Sequence, residues 1–258
     1  MKLLYIIEND QDIEKLPSDA IPIGGGSNIL INPNISNPLV KVSAGYCEFE
    51  LNGHQIVCSA GASVAQTLKW MSEKGLSGLE FATGVPATIG GMVYMNFECW
   101  GNDMSSLVDA VYIYEKESGF RWIRRQEYRV AYRWTSFHDL QCIILAVKLK
   151  AQSSATNKVK EKMQEYLSER KEKQPVLKPT FGSVFKNPLP QKAGELVDRL
   201  GLKGTTIGGA MISNHHANFF ENHDKATFDD AFKLIKLIQN KVQTMYNIKL
   251  ECEVQIIQ

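Results

Sequence analysis

Short apolar runs separated by glycine, asparagine and proline fill the first half of the chain. Ile21-Pro22-Ile23, Ile29-Leu30-Ile31, Leu39-Val40-Lys41-Val42, Ile56-Val57-Cys58, Val111-Tyr112-Ile113-Tyr114 and Ile143-Ile144-Leu145-Ala146-Val147 predict strands of a mixed sheet. Residues 1–7 read as one more strand. Glu8-Asn9-Asp10 stops that run too early for the roughly 7–15 apolar residues of a secretion signal. A single helix is legible in this half: Ser63 is its N-cap, Val64, Leu68 and Met71 share one face, and Gly75 ends it.

The texture then changes. Residues 158–174 are dense in Lys, Glu, Arg and Gln, carry Val159, Met163, Tyr166 and Leu167 at helical spacing, and stop at Pro175. This pattern predicts a solvated helix between two domains. Thr227 and Asp230 form a capping-box pair before a second amphipathic helix. Its stripe is Ala231, Leu234, Ile235, Ile238, Val242 and Met245. The expected division is residues 1–152 and 153–258, with the last strand, 250–258, returning to the first domain.

Composition narrows the classes without choosing one. With 29 Lys+Arg against 28 Asp+Glu, the formal charge is +1, so no global field draws in nucleic acid or an anionic membrane. No apolar run approaches the ~20 residues of a membrane-spanning helix. The five cysteines are dispersed, without a C-x-x-C pair, which argues against zinc and disulfides and for a reducing, cytoplasmic setting. His215-His216 are adjacent and point to opposite sides in an extended segment, so no metal is expected there. Nothing in the chain speaks to oligomeric state.

Two glycine-rich loops stand out. Gly24-Gly25-Gly26-Ser27-Asn28 leaves main-chain N–H groups unshielded, so it suits an anion, with Ser27 and Asn28 as added donors. A strand-like run follows it, which excludes the dinucleotide fingerprint that opens a helix. The second loop, Gly84-Val85-Pro86-Ala87-Thr88-Ile89-Gly90-Gly91, leads through Met92 to Asn96. Two such loops in one half favour a phosphate-bearing, partly planar ligand laid across both.

These loops and later blocks carry a family resemblance. Ile23–Leu30 in the form Ile-Gly-Gly-Gly-Ser-Asn-Ile-Leu and the run from Gly78 to Gly91 resemble the UDP-N-acetylenolpyruvoylglucosamine reductase (MurB) family. So, in order, do Tyr132-Arg133, Gly182-Ser183-Val184-Phe185-Lys186-Asn187-Pro188, Ala193-Gly194, Gly201–Gly204, Ile207–Ala210, His216-Ala217-Asn218-Phe219 and Leu250–Val254. The resemblance covers nearly the whole chain and is closest to the short, type II form. It implies an α+β protein: an FAD-binding domain of the vanillyl-alcohol-oxidase (PCMH) type, then a smaller α+β substrate-binding domain. The implied activity reduces the enolpyruvyl ether of a UDP-amino sugar to UDP-N-acetylmuramate with NADPH, a step of peptidoglycan precursor synthesis. The partner is then a small UDP-sugar rather than nucleic acid or membrane.

By the same resemblance, Gly24, Gly25, Gly26, Ser27, Asn28, Gly84, Pro86, Thr88, Gly90, Gly91 and Asn96 would hold FAD. Tyr132, Lys186 and Asn187 would meet the substrate, the last two at its diphosphate. Adding hydride to the vinyl end of the substrate leaves negative charge on the neighbouring carbon and carboxylate. Arg133 and Glu253 would brace that charge, and Ser183 would protonate the carbon. Arginine suits its role because its planar fork pairs a carboxylate bidentately. Glu253 can serve only when protonated or in a proton relay. Serine is a weak acid and needs a donor network behind it.

The pattern also departs from the family. Members carry an extra N-terminal stretch with an Asn-Thr-Phe-x-x-Gly-Gly-like segment, which is not seen here. Phe97, Glu98, Cys99 and Trp100 follow Asn96 where small residues are usual. Thr135 replaces a serine, keeping the hydroxyl. An alternative reading is therefore a flavin-binding relative with lost or altered activity. A third, an O2-using flavin oxidase, leaves the Gly182–Pro188 block without a purpose.

Overall fold

The computed structural model describes residues 3–258, so Met1 and Lys2 of the expected first strand lie outside the described residues. The chain separates into two compact units, Met1–Gly25 with Ser36–Ser168, and Gly26–Ile35 with Glu169–Gln258. One boundary between the units falls at Ser168/Glu169, inside the charged helix.

Among the described residues, the two largest sheets of the first unit have three and five strands. Leu4–Ile7, Leu39–Val42 and Ile21–Pro22 form a parallel sheet with Leu39–Val42 in the centre. An antiparallel sheet runs Gly119–Arg124, Val108–Glu115, Cys142–Lys150, Gln55–Ser59 and Glu50–Asn52. Helix α1 (Val64–Glu73) begins at Ser63, whose hydroxyl accepts from Gln66 N, and buries Val64, Leu68 and Met71 as its spacing predicts. Gly75 follows with φ +64°, the left-handed turn that ends helices.

The second glycine loop is shorter than it reads. Thr88 Oγ1 accepts from Gly91 N and caps α2 (Ile89–Tyr94). Ile89, Met92 and Val93 of α2 are buried in the main core of this unit. Gly90-Gly91 are therefore helical, and only residues up to Thr88 form the loop.

The charged run is α3 (Thr156–Lys173). Most of its residues are exposed, while Val159 is buried and Met163 and Tyr166 pack on the first unit's core. In the second unit, an antiparallel sheet runs Thr180–Ser183, Phe219–Asn222, Ala210–Ile212 and Thr206–Ile207. It shares a core with α4 (Ala193–Arg199) and α5 (Phe228–Tyr246). The Thr227 and Asp230 capping box is formed. Of the expected α5 stripe only Met245 is misplaced: it sits in the last turn and is 66% exposed. The last strand, Gln255–Ile257, pairs in parallel with Ile29–Ile31, and both belong to the second unit.

Candidate functional site

Gly24 and Gly25 belong to the first unit and Gly26, Ser27 and Asn28 to the second. In the first, Gly24 lies against the α2 cap: a Cβ on Gly24 would stand 2.9 Å from Thr88 Oγ1 and 3.4 Å from Gly91 Cα. One on Gly25 would stand 3.1 Å from Pro86 O. The two glycine loops therefore touch, as a ligand spanning both requires. Among the described residues, the amides of Gly24, Gly25, Gly26, Ser27 and Asn28 donate to no protein acceptor. A stretch of consecutive uncommitted N–H groups is a setting for phosphate oxygens.

Ile89 N donates to Ala62 O at 2.9 Å, Gly90 N to Ala60 O at 2.8 Å, and Gly91 N to Thr88 Oγ1 at 3.3 Å. These three amides of α2 are spent on the fold. Gly90 is needed because a Cβ would fall 2.7 Å from Ala60 Cβ. Gly84 and Pro86 are exposed on the loop surface. Asn96 is buried with φ +42°; its Nδ2 donates to Ala131 O and its Oδ1 accepts from Ser105 N. Its amide braces the end of α2, which the sequence alone does not reveal.

Tyr132-Arg133 form the two-residue turn between Val130–Ala131 and Trp134–Thr135. Arg133 sits at φ +54°, a region costly for a side chain bearing a Cβ and frequent where geometry serves function. Its guanidinium is held firmly. Nη1 donates to Glu98 O at 2.9 Å, and the group lies 5.4 Å from the ring centroids of both Phe97 and Tyr132. The departures after Asn96 thus build the seat of Arg133. Trp100 has a separate task, stacking on Tyr166 at 4.8 Å. Thr135 is buried and its hydroxyl donates to Tyr94 O at 2.8 Å.

Ser183 and Glu253 come together in the second unit. Glu253 N donates to Val184 O at 2.8 Å, Lys186 N donates to Glu251 O at 2.9 Å, and Phe185 bridges Cys252. Asn218 clasps this segment: its Oδ1 accepts from Phe185 N and its Nδ2 donates to Phe185 O. Asn28 holds the other side, Nδ2 donating to Phe181 O at 2.8 Å and Ser183 O at 2.9 Å. Both N–H donors of the Asn28 side chain are thus directed at carbonyls. Lys186 Nζ is 3.5 Å from Glu251, so a local carboxylate already balances its charge. Asn187 Oδ1 accepts from Ala193 N, the first residue of α4.

His216 Nδ1 accepts from Asn218 N at 3.1 Å, and burial holds this imidazole below its ordinary range. His215 turns instead to Glu172 O. Among the described residues no group of three or more His, Cys, Asp or Glu is arranged to hold a metal. No helix among them is long and apolar enough to cross a membrane.

Comparison with known proteins now decides the family. An FAD binding domain matches residues 14–115, and the UDP-N-acetylenolpyruvoylglucosamine reductase C-terminal domain matches residues 174–257. The chain belongs to the UDP-N-acetylenolpyruvoylglucosamine reductase family. A reductase of this name from Bacillus pumilus is 36% identical over 98% of this chain and 87% of its own length. One from Bacillus subtilis is 37% identical over 91% and 78%. The crystal structure of the reductase from Thermus caldophilus superposes with a TM-score of 0.86 at 27% identity, covering 99% of this chain and 92% of that one. The α+β fold class and the FAD-binding character of the first half follow from the same matches.

Proposed function

We propose that this chain reduces the enolpyruvyl ether of UDP-N-acetylglucosamine to UDP-N-acetylmuramate, with bound FAD and with NADPH as reductant. The observation that carries the reading is the order of the two family matches, FAD binding at 14–115 and the reductase C-terminal domain at 174–257, in one chain. The uncommitted amides of 24–28 and the close Gly24–Thr88 contact support FAD binding in particular. FAD, when bound, would supply the hydride-transfer chemistry that links NADPH to the substrate double bond.

The chain's own residues do the rest. Main-chain N–H groups of the first loop bind the cofactor's phosphates, and the glycines of both loops leave it room. Arg133 neutralises charge that grows on the substrate carboxylate. Its seat against Phe97, Tyr132 and Glu98 O fixes the fork in advance, so little reorganisation accompanies reaction. Ser183 Oγ gives the one proton to the α-carbon, and a donor behind it restores the hydroxyl. Glu253 assists as a protonated carboxyl or a relay. The overall balance is one hydride from NADPH and one proton from solvent added across one C=C bond. Tyr132 and Lys186 contribute to substrate binding, with the Lys186–Glu251 pair opening to admit a diphosphate.

A Ser183→Ala variant tests this directly. Its flavin should still be reduced by NADPH, while transfer to the enolpyruvyl sugar should fail. Normal turnover in that variant removes Ser183 as the proton donor.

A further inference from the structure

We propose that Asn28 is a positioning residue for Ser183, and that its side chain is not a ligand of the cofactor's phosphates. The inference rests on Ser183 being the proton donor of the proposed reaction.

A carboxamide has two N–H donors. Asn28 directs its Nδ2 at two carbonyl oxygens of one strand, Phe181 O at 2.8 Å and Ser183 O at 2.9 Å. What remains on the side chain is Oδ1, an acceptor that an anion repels. Phosphate recognition does not need this side chain, because the amides of Gly24 to Asn28 are themselves without protein acceptors.

The surroundings are shaped for the contact. Gly182, between the two carbonyls, has φ +76° where the strand slips register against Phe219–Asn222. A Cβ on Gly182 would lie 3.2 Å from Asn28 Nδ2 and 3.2 Å from Ser27 O. Glycine at 182 therefore admits Asn28. Asn28 is anchored in turn, its main-chain O accepting from Gln255 N at 3.0 Å beside the paired strands Ile29–Ile31 and Gln255–Ile257. On the far side Asn218 clasps Phe185 through both atoms of its amide. Two asparagines thus fix the main chain on either flank of Ser183, and the main chain sets where Oγ can reach. A misplacement of about 1 Å at a reacting group costs about 100-fold in rate.

The test uses the FAD-loaded protein and follows two steps separately without oxygen: flavin reduction by NADPH, and flavin reoxidation by the enolpyruvyl UDP-sugar. Asn28→Ala should keep its FAD content and its reduction rate within about twofold, and slow reoxidation by about 10- to 100-fold. Asn28→Asp, nearly isosteric but without amide donors, should behave alike and covers the case in which Asn28→Ala does not fold. On a Ser183→Ala background the Asn28 changes should add nothing further, as expected for residues acting as one unit. Loss of FAD with equal slowing of both steps, wild-type reoxidation in the Asn28 variants, or an additive effect in the double variant would each overturn the inference. Unchanged reoxidation in Ser183→Ala alone would instead overturn the catalytic reading beneath it.

Discussion

The guanidinium of Arg133 stands 5.4 Å from the centroid of the Phe97 ring, while its Nη1 donates to the carbonyl of Glu98 at 2.9 Å. The left-handed backbone at Arg133 is thus matched by an anchored side chain.

That relationship predicts unequal effects at the two positions. Arg133→Lys keeps a charge but loses the fork, and should slow substrate reduction by about 10²–10³-fold with FAD content unchanged. Phe97→Leu keeps bulk but loses the ring face, worth about 1 kcal/mol, and should cost about fivefold. Rapid-mixing kinetics of the two steps would show both effects confined to reoxidation.

Gly24→Ala should weaken FAD retention. Its Cβ would meet Thr88 Oγ1 at 2.9 Å, forcing apart the loop and the α2 cap. Flavin absorbance per mole of purified protein should fall severalfold, and the apoprotein should melt at a lower temperature because the cap is disturbed. Full flavin loading in that variant would contradict the placement of the cofactor at this loop.

Acid should destabilise the second unit through His216. Burial lowers its pKa, Lys203 and His215 add to that shift, and Asp198 opposes it. As pH falls, the unfolded chain takes up the proton first, near about 6.5, and the folded state only lower down. The contribution is fully present above that unfolded value and is lost as pH drops toward the folded one. Urea midpoints measured from pH 8 to pH 5 should decline, and His216→Asn, which keeps an acceptor for Asn218 N, should flatten the decline.

Thr227→Ala removes the hydroxyl that accepts from Asp230 N and should cost about 1 kcal/mol of stability. Asp230 is held below the ordinary carboxylate range by main-chain donors from Thr227 and Gly209. Stability due to Asp230 is present above its unfolded pKa and is lost as pH falls through the folded one, so Asp230→Asn should reduce the steepness of acid unfolding. Thermal melts over pH 2 to 5 would measure it.

What the chain revealed in advance was whatever is local. Ser63, Thr227 and the apolar stripes of α1 and α5 act through neighbours three or four residues away, and those helices stand where the spacing puts them. Helix α2 was hidden because Gly90-Gly91 disfavour a helix by propensity; burial of Ile89, Met92 and Val93 overrides that preference. The roles of Asn28 and Asn218 depend on partners far along the chain, Ser183 being 155 residues from Asn28. Sequence composition carries no such distance, although Asn218 already stood inside a recognisable block. Phe97 and Glu98 read as departures because only the folded turn at Tyr132-Arg133 shows what they hold.

The most direct measurement is anaerobic, with the FAD-loaded protein first reduced by NADPH and then mixed with the enolpyruvyl UDP-sugar. The account predicts rapid return of oxidised flavin with UDP-N-acetylmuramate formed in equal amount. Flavin that stays reduced until oxygen is admitted, and then yields peroxide without sugar reduction, would contradict it.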